Sequence, residues 1–326
     1  MKHGPWILTA LFVVAGVVAG CSQSGGSAQS DSSDPKAKKP DAVIGLSVLT
    51  LTNPFFRDLA DAVKAEGRKH NYEVIVTSGE NNVASQKDQV NDFIVKKVDA
   101  IVLCPCDSKA IGTSIQKANE AGIPVFTADI ACLADGAKVV SHIATDNLGG
   151  GHEAAKAVME LFPGGGKVAI LDYPEVESVI MRTKGFREEL AKHPDGGIEI
   201  VATLPGGGDK EKSLKTTEDI LQAHPKLDGI FAINDPSALG AVAAIEKAGR
   251  AGQIKVVGFD AQPEARQAVK DGKLYATIVQ YPEKIGQTAL ETVVRYMAGE
   301  EVPREVLIPC TIYRKSDAEK DPSLKK

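Results

Sequence analysis

Six side chains with planar polar groups stand near the ends of predicted strands: Asn53, Asp129, Arg182, Asn234, Asp260 and Gln280. Amide, carboxylate and guanidinium groups form paired hydrogen bonds. Phe55 and Phe56, in "NPFF", add two aromatic rings in a chain that is only 5% aromatic. Sugar hydroxyls need paired donors and acceptors, and the C–H faces of a sugar ring need flat apolar surfaces. The set therefore predicts a site for a monosaccharide or a polyol.

Each of these residues also has a structural explanation when it is considered alone. Asn53 precedes Pro54, where it can cap a helix, and an aspartate after a strand often caps a turn. Arg182 alone could be a solvated surface charge. Phe56 begins an apolar helical stripe, whereas Phe55 points about 100° away from it, and we interpret Phe55 as a sugar-stacking surface. The combination of residues favours the binding site.

Apolar runs typical of buried strands alternate with helical stretches along the chain. Ten such runs occur, in two blocks of five: 43–51, 73–78, 100–103, 124–128 and 139–144, then 167–172, 198–204, 229–233, 255–259 and 275–279. This alternation predicts an α/β protein with two doubly wound parallel-sheet lobes. A last helix over 283–298 and a strand over 306–312 must join one or both lobes. Such sheets bind ligands at the carboxyl ends of their strands, where the polar residues lie.

Composition excludes several classes of function. The 326 residues are 43% hydrophobic and 25% charged, which suits a soluble protein of two domains. A net charge of −5 with no large basic cluster argues against nucleic-acid binding. The six histidines are scattered, and Cys104 and Cys106 lack the spacing of a zinc or redox pair. We therefore expect no metal, no cofactor and no enzymatic activity.

The first forty residues predict export and a lipid anchor. Lys2 is followed by an apolar stretch over 6–18, which is too short to span a membrane comfortably. Small residues then precede Cys21 in "VAGC", which resembles the lipobox of bacterial lipoproteins. The alternative is an ordinary signal peptide with a chance cysteine. We favour a signal peptide over 1–20, a lipidated Cys21, and a flexible Ser-, Gly- and Lys-rich tether over 21–40.

The chain resembles the periplasmic sugar-binding proteins of the ribose-binding type, which are the receptor components of ABC importers. The similarity runs from about Val43 to about Lys315, in the segments "NPFF", "IPVFTAD", "VVSHIATDN", "AHP", "FAIND", "VVGFD" and "DGKL". It implies the periplasmic binding protein type 1 fold with a three-segment hinge, near Thr145–Asp146, Gln280–Tyr281 and Pro309–Cys310. The lobes would then comprise 41–145 plus 281–309, and 146–280 plus 310–326.

The resemblance also implies a set of ligand contacts and partners. By position, the contacts are Asn53, Phe55, Phe56, Asp129, Arg182, Asn234, Phe259, Asp260 and Gln280. The implied partners are a sugar or polyol and a membrane permease with its ATPase, and the protein itself is expected to be a monomer. The alternative is a lipid-anchored sensory receptor on the same fold. A single sequence does not distinguish transport from sensing. A DNA-binding repressor is excluded, because the lipobox stands where a helix-turn-helix would be.

Three positions depart from the ribose-binding pattern. Ile130 replaces an arginine after Asp129, Gly208 replaces an aromatic residue, and Leu49 replaces a serine. The lost guanidinium removes a bidentate partner, and the lost ring is expected to open one wall of the pocket. We therefore expect Ile130 and Gly208 to govern which sugar is bound. The double substitution Ile130→Arg with Gly208→Phe is expected to move the preference toward ribose.

Two further expectations concern the loops at the strand ends. The loop over 174–178 is a candidate to fill the gap at Gly208, with Glu175 or Glu177 then reaching the ligand. The exported location allows disulfides, and the third and fourth strands are neighbours in a doubly wound sheet. Cys132 is therefore predicted to pair with Cys106 or, as the second choice, with Cys104, leaving Cys310 unpaired.

Overall fold

Two six-stranded sheets form the framework of residues 39–324, the part of the chain that the computed structural model describes. The first eight elements are β1 Ala42–Val48, α1 Pro54–Lys69, β2 Tyr72–Ser78, α2 Val83–Lys96, β3 Ala100–Leu103, α3 Gly112–Glu120, β4 Val125–Ala128 and β5 His142–Thr145. The next five are α4 Asn147–Leu161, β6 Gly166–Asp172, α5 Glu177–Lys192, β7 Ile198–Pro205 and α6 Lys210–Ala223. Then follow β8 Gly229–Ala232, α7 Asp235–Lys247, β9 Lys255–Asp260, α8 Pro263–Lys270 and β10 Ala276–Val279.

The chain ends by contributing to both sheets. Its last elements are α9 Pro282–Met297, β11 Glu305–Ile308, β12 Thr311–Arg314 and the short α10 Lys315–Ala318. The first sheet has the order β11-β5-β4-β3-β1-β2 and is parallel throughout. The second has the order β12-β10-β9-β8-β6-β7, with only β12 antiparallel. We call the parts built on these sheets the first and second lobes, and the predicted α/β fold of two doubly wound lobes is confirmed.

One predicted element is wrong. A single strand was expected over 306–312, but the chain forms β11 in the first sheet and β12 in the second, with Pro309 and Cys310 between them. Pro309 has no backbone N–H and cannot continue a ladder, so it marks the change of sheet.

The first residues of the segment "NPFF" form the start of α1. The side chain of Asn53 accepts a hydrogen bond from Phe55 N (3.0 Å), and Pro54 occupies the first helical position. β1 ends at Val48, three residues before the predicted end, and Leu51 N donates to the Ser78 hydroxyl (3.0 Å) and not to a backbone carbonyl of the ladder. The segment over 49–53 is therefore a loop at the carboxyl edge of the sheet.

A continuous hydrophobic cluster runs through both lobes. It includes Ile44 and Leu46 of the first sheet and Ile170 and Phe259 of the second. Two further clusters cover the other faces of the sheets. No helix within residues 39–324 is long and apolar enough to cross a membrane.

The four cysteines of residues 39–324 are free thiols, so the predicted bridge from Cys132 to Cys106 or Cys104 is absent. Cys104 and Cys106 belong to the cluster shared by both lobes, whereas Cys132 packs against the cluster beneath α2 and α3. The Cys106 thiol instead lies 3.6 Å from the carbonyl oxygen of Leu49. The loops after the neighbouring strands β3 and β4 do lie at the same edge of the sheet, but the thiols point into different hydrophobic clusters.

Candidate functional site

A cavity of about 610 Å³ lies between the carboxyl ends of the two sheets. Eight of the nine predicted contacts line it: Asn53, Phe55, Phe56, Asp129, Arg182, Asn234, Asp260 and Gln280. The specificity candidates Ile130 and Gly208 line it as well. Residues far apart in sequence therefore meet at one place, where parallel sheets bind ligands.

Arg182 lies at the centre of the charged part of the cavity. The residue is only 4% exposed, its Nη1 lies 3.7 Å from Asp260 Oδ1, and its Nε donates to Asn147 Oδ1 (2.8 Å). Nη1 also donates to the Ile233 carbonyl (2.7 Å). The guanidinium stacks 3.9 Å from the ring centre of Phe259. Several fixed contacts thus hold the cation in place before a ligand arrives.

Phe259 is the predicted contact that does not line the cavity. It is fully buried, as the last residue but one of β9, and its ring lies beneath the Arg182 guanidinium. Phe259 therefore supports the Arg182 guanidinium from below and has no direct contact with the cavity.

Asp260 is embedded in a hydrogen-bond network with Gln280 and Asp235. Its Oδ1 accepts from Gln280 Nε2 (2.6 Å), and its Oδ2 lies 3.4 Å from Asp235 N. Burial raises the pKa of Asp260 to about 6, although the Arg182 charge opposes the rise. Burial, followed by repulsion from Asp260, also raises the pKa of Asp235 well above its usual value.

Asp235 is a cavity residue that sequence reasoning missed. Its carboxylate accepts hydrogen bonds from the Thr277 hydroxyl (2.7 Å) and from Gln262 N (2.7 Å). These bonds connect three neighbouring strands, because Asp235 follows β8, Gln262 follows β9 and Thr277 lies within β10. The available signal was its position directly after Asn234, where a second polar residue opens α7.

Asp129 differs from Asp260 in having an unused acceptor. It is 4% exposed, it has a φ of +64°, and its Oδ1 has no hydrogen-bond partner within residues 39–324. Burial raises the pKa of Asp129 to about 7, the nearby Arg182 lowers it, and Asp260 adds to the rise. A buried carboxyl oxygen without a donor is costly, so this atom is suited to accept a hydrogen bond from a ligand.

The amide side chains serve the fold and the cavity together. Asn234 Oδ1 caps α7 by accepting from Ser237 N (2.9 Å), and Nδ2 donates to the Gly208 carbonyl (3.0 Å). Gln280 Oε1 accepts from the Thr145 hydroxyl (2.6 Å), which links the two lobes. Since Asn53 also caps a helix, the capping explanation holds for both asparagines while both still line the cavity.

The aromatic residues form two separate walls. Phe55 and Phe56 meet edge to face, with ring centres 5.1 Å apart, and both are buried at the cavity. Tyr173, which sequence reasoning did not single out, lies on the second lobe against Gly208. A Cβ added at Gly208 would lie only 3.3 Å from Tyr173 Cδ1. The wall that was expected to be open at Gly208 is therefore occupied by Tyr173.

The loop that follows β6 also contacts the first lobe. Ser108 N donates to the Glu175 carbonyl (3.0 Å), and Glu177 N donates to the Ser108 hydroxyl (2.8 Å). Neither Glu175 nor Glu177, which were candidates to reach the ligand, lines the cavity. Their backbones close the gap between the lobes, and Val176 and Ser178 line the cavity instead.

A second cavity, of about 550 Å³, lies at the amino ends of β9 and β10, near Lys255 and Tyr275. Three of its charged lining residues are already in ion pairs, because Arg314 binds Glu160 (2.8 Å) and Lys273 binds Glu246 (2.9 Å). Buried polar groups converge instead on the cavity between the sheets, around Arg182. The cavity between the sheets is therefore the stronger candidate for a functional site.

Comparison with known proteins identifies relatives of this arrangement. A family described as a periplasmic binding protein domain matches residues 44–301. The ribose import binding protein RbsB of Bacillus subtilis is 37% identical over 272 residues, which make up 83% of this chain and 87% of the relative. RbsB of Escherichia coli is 38% identical over 260 residues, covering 79% of this chain and 86% of the relative.

Solved structures show the same likeness. An ABC transporter solute-binding protein of Actinobacillus succinogenes, with bound D-allose, has 33% identity and a TM-score of 0.78, covering 86% of this chain and 100% of its own. Another, from Bacillus halodurans with bound myo-inositol, has 30% identity and a TM-score of 0.79, covering 86% and 97%. These likenesses span both lobes.

Proposed function

We propose that this protein is the monosaccharide or polyol receptor of an ABC importer. The chain belongs to the periplasmic binding protein family, and the relatives described above are non-enzymatic solute-binding proteins. One observation carries the proposal. Planar polar groups and aromatic rings from both lobes line a single cavity, with Arg182 and Asp260 on one side and Asp129 and Phe55 on the other. This arrangement suits the hydroxyls and C–H faces of a sugar.

Binding and lobe closure form one equilibrium in this proposal. A ligand held from both sides has more contacts in the closed state, and that difference favours closure. The moving bodies are the two proposed lobes, 41–145 plus 281–309 and 146–280 plus 310–326. The crossings near residues 145–146, 280–281 and 309–310 form the hinge.

Calorimetry with D-ribose, D-allose, myo-inositol and D-galactose tests the binding step. Small-angle scattering on the same samples tests closure, since the radius of gyration should fall with a sugar that binds. A protein that binds no member of a broad sugar and polyol panel contradicts the proposed function. Tight binding with an unchanged scattering curve contradicts the closure mechanism alone.

Delivery to a permease and its ATPase is the second part of the proposal. A strain lacking this protein should lose uptake of the bound sugar, and the wild-type gene should restore it. Normal uptake in that strain, combined with a lost transcriptional response to the sugar, would instead identify a lipid-anchored sensory receptor.

Anchoring through Cys21 is the third part. Cys21, the signal peptide over 1–20 and most of the tether over 21–40 lie outside the described residues, so support comes from the "VAGC" sequence alone. We expect lipidation to hold the exported protein at a membrane, and Cys21→Ser to release it or block its processing. Labelled fatty acid that still enters the Cys21→Ser protein contradicts the anchor.

A further inference from the structure

An apolar surface lines part of the same cavity. It consists of Leu49 and Ile130 from the first lobe and Val176 and Val179 from the second, and we call it the apolar wall. All four side chains are buried, and all belong to the hydrophobic cluster that runs through both lobes. The cavity is therefore two-sided, because the charged groups around Arg182 line it as well.

The charged and apolar parts of the cavity meet at two residues that are neighbours in the sequence. Asp129 and Ile130 follow β4 directly, and both line the cavity. The first offers a carboxyl oxygen that has no partner within residues 39–324, and the second offers only carbon. Leu49 stands in the same way at the end of β1, two strands away in the first sheet. Two strand ends of one lobe thus present apolar groups directly beside the polar groups of the cavity.

The chemistry of the apolar wall selects against a hydroxyl. A ligand hydroxyl buried there finds no side-chain donor or acceptor among these four residues, and burying it without a partner is unfavourable. A methyl or methylene group in the same place gains from leaving water. The wall therefore suits a part of the ligand that carries hydrogen on carbon.

From this wall we infer that the ligand is a deoxy sugar, with a methyl or methylene group against Ile130 and hydroxyls towards Asp129, Arg182 and Asp260. The inference rests on the proposed function and specifies its substrate class. A fully hydroxylated sugar that places the corresponding ring substituent against this wall would bury a hydroxyl against carbon. We expect a preference for the deoxy form of about ten- to a hundredfold in Kd.

Matched sugar pairs test the inference by calorimetry: D-fucose with D-galactose, 5-deoxy-D-ribose with D-ribose, and 6-deoxy-D-allose with D-allose. The deoxy member of at least one pair should bind more tightly by the expected factor. Equal or tighter binding of the hydroxylated member in every pair that binds overturns this inference and leaves the proposed function standing. A protein that binds no sugar in the panel overturns both.

Variants locate the preference on the apolar wall. Val179→Thr adds a hydroxyl at nearly constant shape and should reduce the deoxy preference to about fivefold or less, as should Ile130→Thr. Val95→Thr is the control, since Val95 is 80% exposed on α2 and lies outside the cavity. Thermal unfolding verifies that each variant is folded. An unchanged preference in both folded wall variants contradicts the assignment.

Discussion

Asp129 and Asp260 occupy corresponding places in the two lobes but have different surroundings. Each stands where a central strand ends, each is 4% exposed, and each has a positive φ, +64° and +119°. Asp260 is bonded to Gln280 and lies beside Arg182, whereas Asp129 Oδ1 has no partner within residues 39–324. The second lobe is therefore preorganised, and the first lobe has an acceptor that a ligand must satisfy.

This contrast shows that two residues in equivalent positions can have different chemical roles. The strand-and-helix pattern places a carboxylate at the sheet edge in both lobes. Its role then depends on neighbouring residues, and the residue that follows Asp129 is the apolar Ile130, which offers that carboxylate no hydrogen-bond donor on its side chain. The same local signal thus gives a completed network in one lobe and an incomplete one in the other.

The largest effect is expected for Arg182→Ala, which dismantles the completed network. Removing one partner of a buried ion pair leaves Asp260 uncompensated and typically costs about 3–5 kcal/mol of folding stability. Sugar affinity should fall by more than a hundredfold, as measured by calorimetry beside urea unfolding. Lys184→Ala, on the exposed face of the same helix, should change neither quantity. A fully stable Arg182→Ala protein would show that the network contributes little to the fold.

Next in size is the difference between Asp129→Asn and Asp260→Asn. Both should weaken sugar binding by about ten- to a hundredfold, since each removes a charge-assisted hydrogen bond of about 1.5–3 kcal/mol. Only Asp260→Asn should also destabilise the ligand-free protein, because only Asp260 is paired with Arg182. Equal losses of stability in the two variants would contradict the contrast between the lobes.

The pH dependence of the ligand-free protein should sharpen the same comparison. The pKa of Asp129 is raised from 3.8 to about 7, mainly by burial and despite Arg182, with Asp260 and Glu177 adding to the rise. Its contribution to stability is present below pH 3.8 and is lost as the pH rises through about 7. The melting temperature of Asp129→Asn should therefore exceed that of wild type only slightly near pH 4, increasingly as the pH rises, and most near pH 8. A constant difference in melting temperature across this range would exclude the raised pKa.

The smallest effect concerns the second-lobe wall. Gly208 has a φ of +66°, and a side chain there would meet Tyr173. Gly208→Phe should lose about 1–2 kcal/mol of stability from the left-handed backbone, and it should not create a preference for ribose. Denaturant unfolding and ribose calorimetry measure the two effects, with Gly207→Ala separating backbone strain from the contact with Tyr173, since Gly207 has a φ of +62°. A stable Gly208→Phe protein that gains ribose affinity would restore the expectation drawn from the sequence.

The sequence predicted most of the strands, both lobes and most of the cavity-lining residues, because the spacing of apolar residues and the position of turn residues determine secondary structure locally. It located Asp129 and Asp260 at strand ends and Arg182 on the helix after a strand, and all three line one cavity. It missed Tyr173, because a single aromatic residue after a strand has no local sign of which wall it covers. It also joined β11 and β12 into one strand, since sheet membership depends on distant partners.

The pairing of β11 with β5 and of α9 with α1 has a consequence for the order of folding. The strands from β6 to β10 lie in one continuous stretch and can pair as soon as it is available. The remaining strand of the second sheet, β12, pairs with β10, which precedes it by only α9 and β11, whereas β11 pairs with the much earlier β5. The first lobe, although it begins the chain, lacks an edge strand and a covering helix until residues 282–308 are present. Because such distant contacts close slowly, the amino-terminal lobe should be the last to acquire its native structure.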